Sequence, residues 1–220
     1  MRFAASSQIY LALLVVGACG GTNAASPSTS PTPDVHPLGA LVASGAIVAP
    51  TYAVRVAQEL NWSSRMGATR DLLRAMDDDI AAALAARGLT HGWVLPADLA
   101  SSYKRNPTYA PDPYSLAEEP LRASSFSAGS RLTEPLASQL RTMIALHENA
   151  RAVLLPIELG FEKADSSTGR SRGALRLALI DPRFSEARWV GDVKMDTTSS
   201  DPRVFTRALA TKVADLIVNR

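Results

Sequence analysis

Cys19 is the one thiol in a chain of 220 residues, and its neighbours give it a defined chemistry. It follows the apolar run Ile9-Tyr10-Leu11-Ala12-Leu13-Leu14-Val15-Val16 and the small pair Gly17-Ala18, with Arg2 the one early basic residue. A short apolar core closed by small residues reads as a secretory leader over residues 1–18, too short to span a bilayer as a lasting helix. A thiol at the cleavage point is placed for modification, and no second cysteine remains for a disulfide within the chain. Asp77-Asp78-Asp79 suggests a metal cluster, but three successive helical positions fan over roughly 200° and cannot converge on one ion. They are expected on a solvated face. His147-Glu148 has no second histidine at zinc spacing. No G-x-S-x-G turn is present to carry a nucleophile, and Gly169-Arg170-Ser171-Arg172-Gly173 lacks the strand-then-helix setting of a phosphate loop. Glu158 alternates with Ile157 and Leu159, so it faces away from the core. The expectation is no catalytic residue, no metal and no cofactor.

What remains is recognition. Tyr103, Arg105, Asn106, Tyr109 and Tyr114 lie close together in a stretch rich in proline and tyrosine, with Lys104 among them. Aromatic and arginine side chains make good binding anchors, and these residues are the expected partner-binding surface.

Val16-Gly17-Ala18-Cys19 resembles the lipobox of bacterial lipoproteins, an aliphatic residue and two small ones before a cysteine. The resemblance implies a diacylglyceryl group on the Cys19 thiol, cleavage before it and acylation of the new amino terminus. Gly20, where aspartate would signal retention at the inner membrane, implies an outer-membrane address. Several acyl chains hold such a protein on the bilayer, where a single chain anchors only marginally.

Composition fits a globular exported domain, with 46% of residues hydrophobic and 20% charged. Removing the leader takes away Arg2 alone, so the 23 basic residues become 22 against 21 acidic ones. A near-neutral chain with no basic run argues against nucleic acid as a partner. Residues 19–37 are small, polar and proline-rich. They cannot bury enough apolar surface to offset chain entropy, and are expected to form a disordered tether.

One domain is expected over 38–220. Leu41-Val42-Ala43 and Ala46-Ile47-Val48-Ala49-Pro50, followed by Tyr52-Ala53-Val54-Arg55-Val56, predict an early strand with Pro50 at an edge or bend. Leu72, Leu73, Met76, Ile80 and Leu84 recur at helical spacing, with Thr69 as cap and Gly88 as stop. A short strand is expected at Gly92-Trp93-Val94-Leu95, and then a long irregular loop at 97–131, of the kind that is often functional. Thr133 is expected to cap a second helix carrying Leu136, Leu140, Met143, Ile144 and His147. A strand at 152–161, a flexible loop at 162–173, and strands at 175–180 and 187–195 form an antiparallel meander. Asp201 caps a closing helix with Pro202 at its first position and Phe205, Leu209, Val213, Leu216 and Ile217 as its buried stripe. The fold class is α/β of the α+β kind: a three- to five-stranded mixed sheet with about three helices packed on it.

Leu175-Arg176-Leu177-Ala178-Leu179-Ile180-Asp181 and, beyond the turn, Ala187-Arg188-Trp189-Val190-Gly191-Asp192-Val193 match a strand, an Asp-led turn and a strand with Trp then Gly. With the closing helix, residues 136–218 resemble the small periplasmic α/β domain at the amino terminus of TolB and in the curli secretion lipoprotein CsgG. That resemblance implies assembly or protein contact near the outer membrane, not catalysis. The sequence therefore points to a non-catalytic lipoprotein on the periplasmic face of the outer membrane, anchored through lipid on Cys19 and binding another envelope protein. The alternative is an envelope ligand-binding protein or hydrolase with a pocket between the 97–131 loop and the sheet.

Overall fold

The computed structural model describes residues 36–62, 65–147, 150–165 and 169–218. The leader, Cys19 and the tether as far as residue 35 lie outside the described residues. The fold is α+β: a five-stranded mixed sheet, open at its edges, with helices on both faces. In chain order it runs β1 (Ile47–Val48), β2 (Ala53–Val56), α1 (Thr69–Ala85), α2 (Pro96–Arg105), α3 (Leu136–Leu146), β3 (Val153–Lys163), β4 (Ser171–Asp181), β5 (Glu186–Thr197) and α4 (Pro202–Asp215).

The three long strands form the antiparallel meander the alternating apolar residues predict, with β4 between β3 and β5. β1 and β2 both pair with β3, in parallel, one beyond the other along the same edge. They are two halves of a broken strand, and Pro50 sits in the break. β3 is buried over most of its length because helices cover both sides of the sheet.

On the first face, α1 presents Leu72, Met76, Ile80 and Leu84 and α4 presents Phe205, Leu209 and Val213 to Leu154, Leu159, Phe161, Leu175, Leu177 and Leu179. Trp62, Phe161 and Phe205 form a triangle with ring centroids 5.4–5.6 Å apart. Tilted and edge-on rings at this spacing add to the burial energy of each, itself about 1.5–3 kcal/mol. Gly173 is fixed by the same cluster. A Cβ there would come within 2.4 Å of the Phe205 ring, so only glycine lets the helix settle on the strand. On the second face, Leu99 of α2, Leu121, and Leu136, Leu140 and Met143 of α3 cover Val153, Leu155, Ile157, Ala178 and Ile180.

Several local expectations are corrected. The stretch from 97 is helical at first, because Pro96 opens α2 and the Asp98 carboxylate accepts the Leu95 N–H at 3.0 Å. Among the described residues this makes four α-helices where about three were expected. Thr69 lies inside α1, and Ala68 occupies the cap position without a side-chain bond. Thr133 does not cap α3. The Glu134 carboxylate takes that role by accepting the Ser138 N–H at 2.9 Å. Strands β3 and β4 run on to Lys163 and from Ser171, so the loop is shorter than the polar composition of 162–173 suggested. Residues 41–43 form turns rather than strand, and of 92–95 only Val94 pairs, bridging Ile47. Asp201 caps α4 as expected, accepting the Arg203 N–H at 2.9 Å.

The start and end of the described domain meet. The His36 ring donates from Nδ1 to the Asp215 carbonyl at 2.7 Å, and the Leu38 N–H donates to the Leu216 carbonyl at 3.0 Å.

Candidate functional site

The break between β1 and β2 leaves backbone groups that the sheet does not use. Ala49 N–H still reaches the Leu154 carbonyl at 2.9 Å, but the Thr51 N–H points away from β3 and toward α1. There the Asp77 Oδ1 accepts it at 2.7 Å and accepts the Thr51 hydroxyl at 2.8 Å. A buried amide needs a partner, and a carboxylate from the neighbouring helix replaces the missing strand. Asp77 is thus 6% exposed, correcting the expectation of a solvated face for the triplet. Asp78 alone of the three is solvated, while Asp79 approaches the Arg203 guanidinium at 3.3 Å. Position explains this: Asp77 follows Leu73 by four residues and precedes Ile80 by three, on the edge of the apolar stripe.

Burial pushes the Asp77 carboxyl up to about 7, with the two Thr51 bonds working the other way and Asp78 adding to the rise. Next to it, Tyr52 is half-buried with its hydroxyl donating to the Pro113 carbonyl at 2.7 Å. Burial and the charges of Glu118, Asp77 and Asp112 hold that phenol well above its usual range. This bond ties the irregular 106–118 segment to the sheet edge. Asp112 shapes the segment's tip, accepting from the Tyr114 N–H at 3.0 Å and the Ser115 hydroxyl at 3.1 Å.

A cavity of about 310 Å³ opens here, lined by Thr51, Tyr52, Thr69, Arg70, Leu73, Arg74, Asp77 and Tyr114. Arg70 and Arg74 are exposed on α1. Tyr114, 49% exposed, stands opposite, its hydroxyl raised by burial and by Asp77 and lowered by Arg74.

The expected recognition residues divide. Tyr114 joins the cavity. Tyr103, Arg105 and Asn106 end α2, and the Asn106 carbonyl accepts both the Tyr109 N–H at 3.1 Å and the Ala110 N–H at 2.9 Å. That turn holds Tyr109 outward at 75% exposure. Arg105 faces the end of α3, where burial, helped by the Arg105 charge and opposed by Asp98, lowers the His147 pKa. His147 itself is the half-buried residue closing α3. Glu158 lies on the second face beyond the core and accepts from Arg55 Nε at 2.9 Å.

Sequence reasoning missed Thr51, Tyr52, Arg70 and Arg74 as a group. The available signal was the carboxylate flanking an apolar stripe, with two arginines three and seven residues before it. Among the described residues, no group of three or more His, Cys, Asp or Glu could hold a metal ion, and no helix is long and apolar enough to cross a membrane.

No protein-family model matches the chain, and no curated protein matches its sequence. Among solved structures, the PelC dodecamer from Paraburkholderia phytofirmans is similar at 14% identity and a TM-score of 0.34, over 79% of this chain and 86% of that one. Lipoprotein GNA1162 from Neisseria meningitidis is similar at 16% identity and a TM-score of 0.34, over 71% of this chain and 82% of that one. At this level neither a shared fold nor a shared function transfers.

Proposed function

We propose that this chain is a lipid-anchored lipoprotein of the bacterial envelope, held at the outer membrane through Cys19, which binds another envelope protein and catalyses no reaction. The observation that carries the binding role is Tyr109, a large aromatic held 75% exposed on a turn whose two amide bonds to Asn106 fix it there. Rigid, protruding aromatics lose little entropy on docking, which suits an anchor residue. Tyr103, Arg105 and Asn106 lie on the adjoining end of α2 and extend the surface, and Tyr114, exposed at the cavity, is the remaining residue of the set. Anchoring rests on the lipobox-like Val16-Gly17-Ala18-Cys19 and on the absence of any competing cysteine.

Affinity capture from detergent-solubilised envelopes tests the binding role. A discrete partner is expected with the native chain, and recovery reduced at least tenfold with Tyr109→Ala combined with Tyr114→Ala. Equal recovery with both tyrosines removed would take this surface out of the account. Metabolic labelling with a radioactive fatty acid tests the anchor: the native chain should label and Cys19→Ser should not.

A further inference from the structure

We infer that the cavity between α1 and the 112–114 turn is a binding site for a small organic carboxylic acid whose apolar body carries a hydroxyl group at the end away from the acid. This goes beyond the docking surface and does not depend on it.

Three observations carry it. First, Arg70, Arg74 and Asp77 fall at i, i+4 and i+7 of α1 and form one stripe along the cavity wall, about 10 Å from end to end. Among the described residues, neither guanidinium is paired with a carboxylate; the ion pair on this helix is made by Asp79 with Arg203. Two unpaired guanidiniums one turn apart offer an anion a forked set of donors.

Second, the far end of the stripe is Asp77, nearly fully buried with no cation bonded to it. Thr51 occupies Oδ1 twice, and Oδ2 has no hydrogen-bond partner among the described residues. Burying a carboxyl in this way is unfavourable, and such a group in a cleft marks a functional-site candidate. Oδ2 is a hydrogen-bonding point for a ligand hydroxyl.

Third, the wall between the two polar ends is apolar: Leu73, and the rings of Tyr52 and Tyr114. Tyr52 has its hydroxyl committed to Pro113, so it presents ring rather than hydrogen-bonding group. A cavity of about 310 Å³ sits at the small end of ligand sites, enough for a single-ring acid.

The test uses the lipidated chain in detergent with ¹³C-labelled tyrosine, titrated with 4-hydroxybenzoate, benzoate and phenol and followed by NMR. The Tyr114 signal, assigned from Tyr114→Phe, should shift saturably with 4-hydroxybenzoate, which should bind at least fivefold more tightly than benzoate or phenol. Arg70→Gln with Arg74→Gln should weaken both acids at least tenfold and leave phenol unchanged. Both arginines are exposed, so this variant folds independently of the site. Asp77→Asn keeps an acceptor for Thr51 and should reduce the hydroxyl's advantage. No saturable shift at Tyr114, or acid binding equal in the native and double-arginine variants, would overturn the inference.

Discussion

The two edges of the sheet are built from opposite habits of the chain. At one edge β5 runs unbroken for 12 residues beside β4, with a single register shift where Leu179 gives way to Ile180. At the other, β1 and β2 together hold six strand residues, interrupted at Pro50 and Thr51. The continuous edge is stabilised by the core beneath it. The interrupted one needs a side chain from α1, Asp77, to satisfy what the strand leaves open, and its own Tyr52 bonds outward to Pro113. Polar groups recruited for repair are also groups a ligand can use, so the cavity lies at the repaired edge.

That contrast can be broken or sharpened by measurement. The largest effect should come from the core beneath both edges: Phe205→Ala removes one ring of the aromatic triangle and should cost about 3–5 kcal/mol in denaturant unfolding. A loss below 1 kcal/mol would mean the triangle is not the centre of stability. Next is the pH dependence of the repaired edge. The Asp77 carboxyl is raised from 3.8 to about 7 in the folded chain, so the unfolded chain gives up this proton first. Its contribution is therefore most favourable below about pH 4, declines from pH 4 to 7 and is level above. The difference amounts to at most about 4 kcal/mol. Asp77→Asn removes that slope. Subtracting the two stability curves isolates Asp77 from Asp181, Asp196 and the exposed Glu134, whose lowered pKa values act in the opposite direction. Parallel curves would refute the assignment.

Tyr52→Phe should be smaller, about 1 kcal/mol, because it removes one bond to Pro113. Its signature is faster amide exchange at 114 and 115 with the meander unaffected. Arg55→Ala should be smallest, between about 0 and 1 kcal/mol, since its ion pair with Glu158 is solvent-exposed on the arginine side.

The same contrast governs what the sequence made legible. The meander and α4 could be read because alternation, the Asp201-Pro202 start and the stripe from Phe205 to Val213 all agree with the final packing. Helix α2 could not be read by periodicity, since it buries only Pro96 and Leu99 and its stripe is too short to register. Its start signals, Pro96 and Asp98, were present in a stretch whose later prolines dominate the composition. Asp77 was misjudged for a different reason. A run of three acids reads as solvated, and only the partner on Thr51, 26 positions earlier, gives one of them a reason to turn inward. The exposed Tyr109 was legible because nothing in the fold had to be known to place an aromatic among prolines on a turn.

The bonds from His36 to Asp215 and from Leu38 to Leu216 set a mechanical load path. A pull entering at residue 36 is met first by these two hydrogen bonds and by Leu38, which is fully buried, at the end of α4. The ladders joining β3, β4 and β5 lie beyond that attachment. Tension on the amino-terminal side would peel away a short clasp first, then load β1 at the interrupted edge, and reach the β3–β5 meander last.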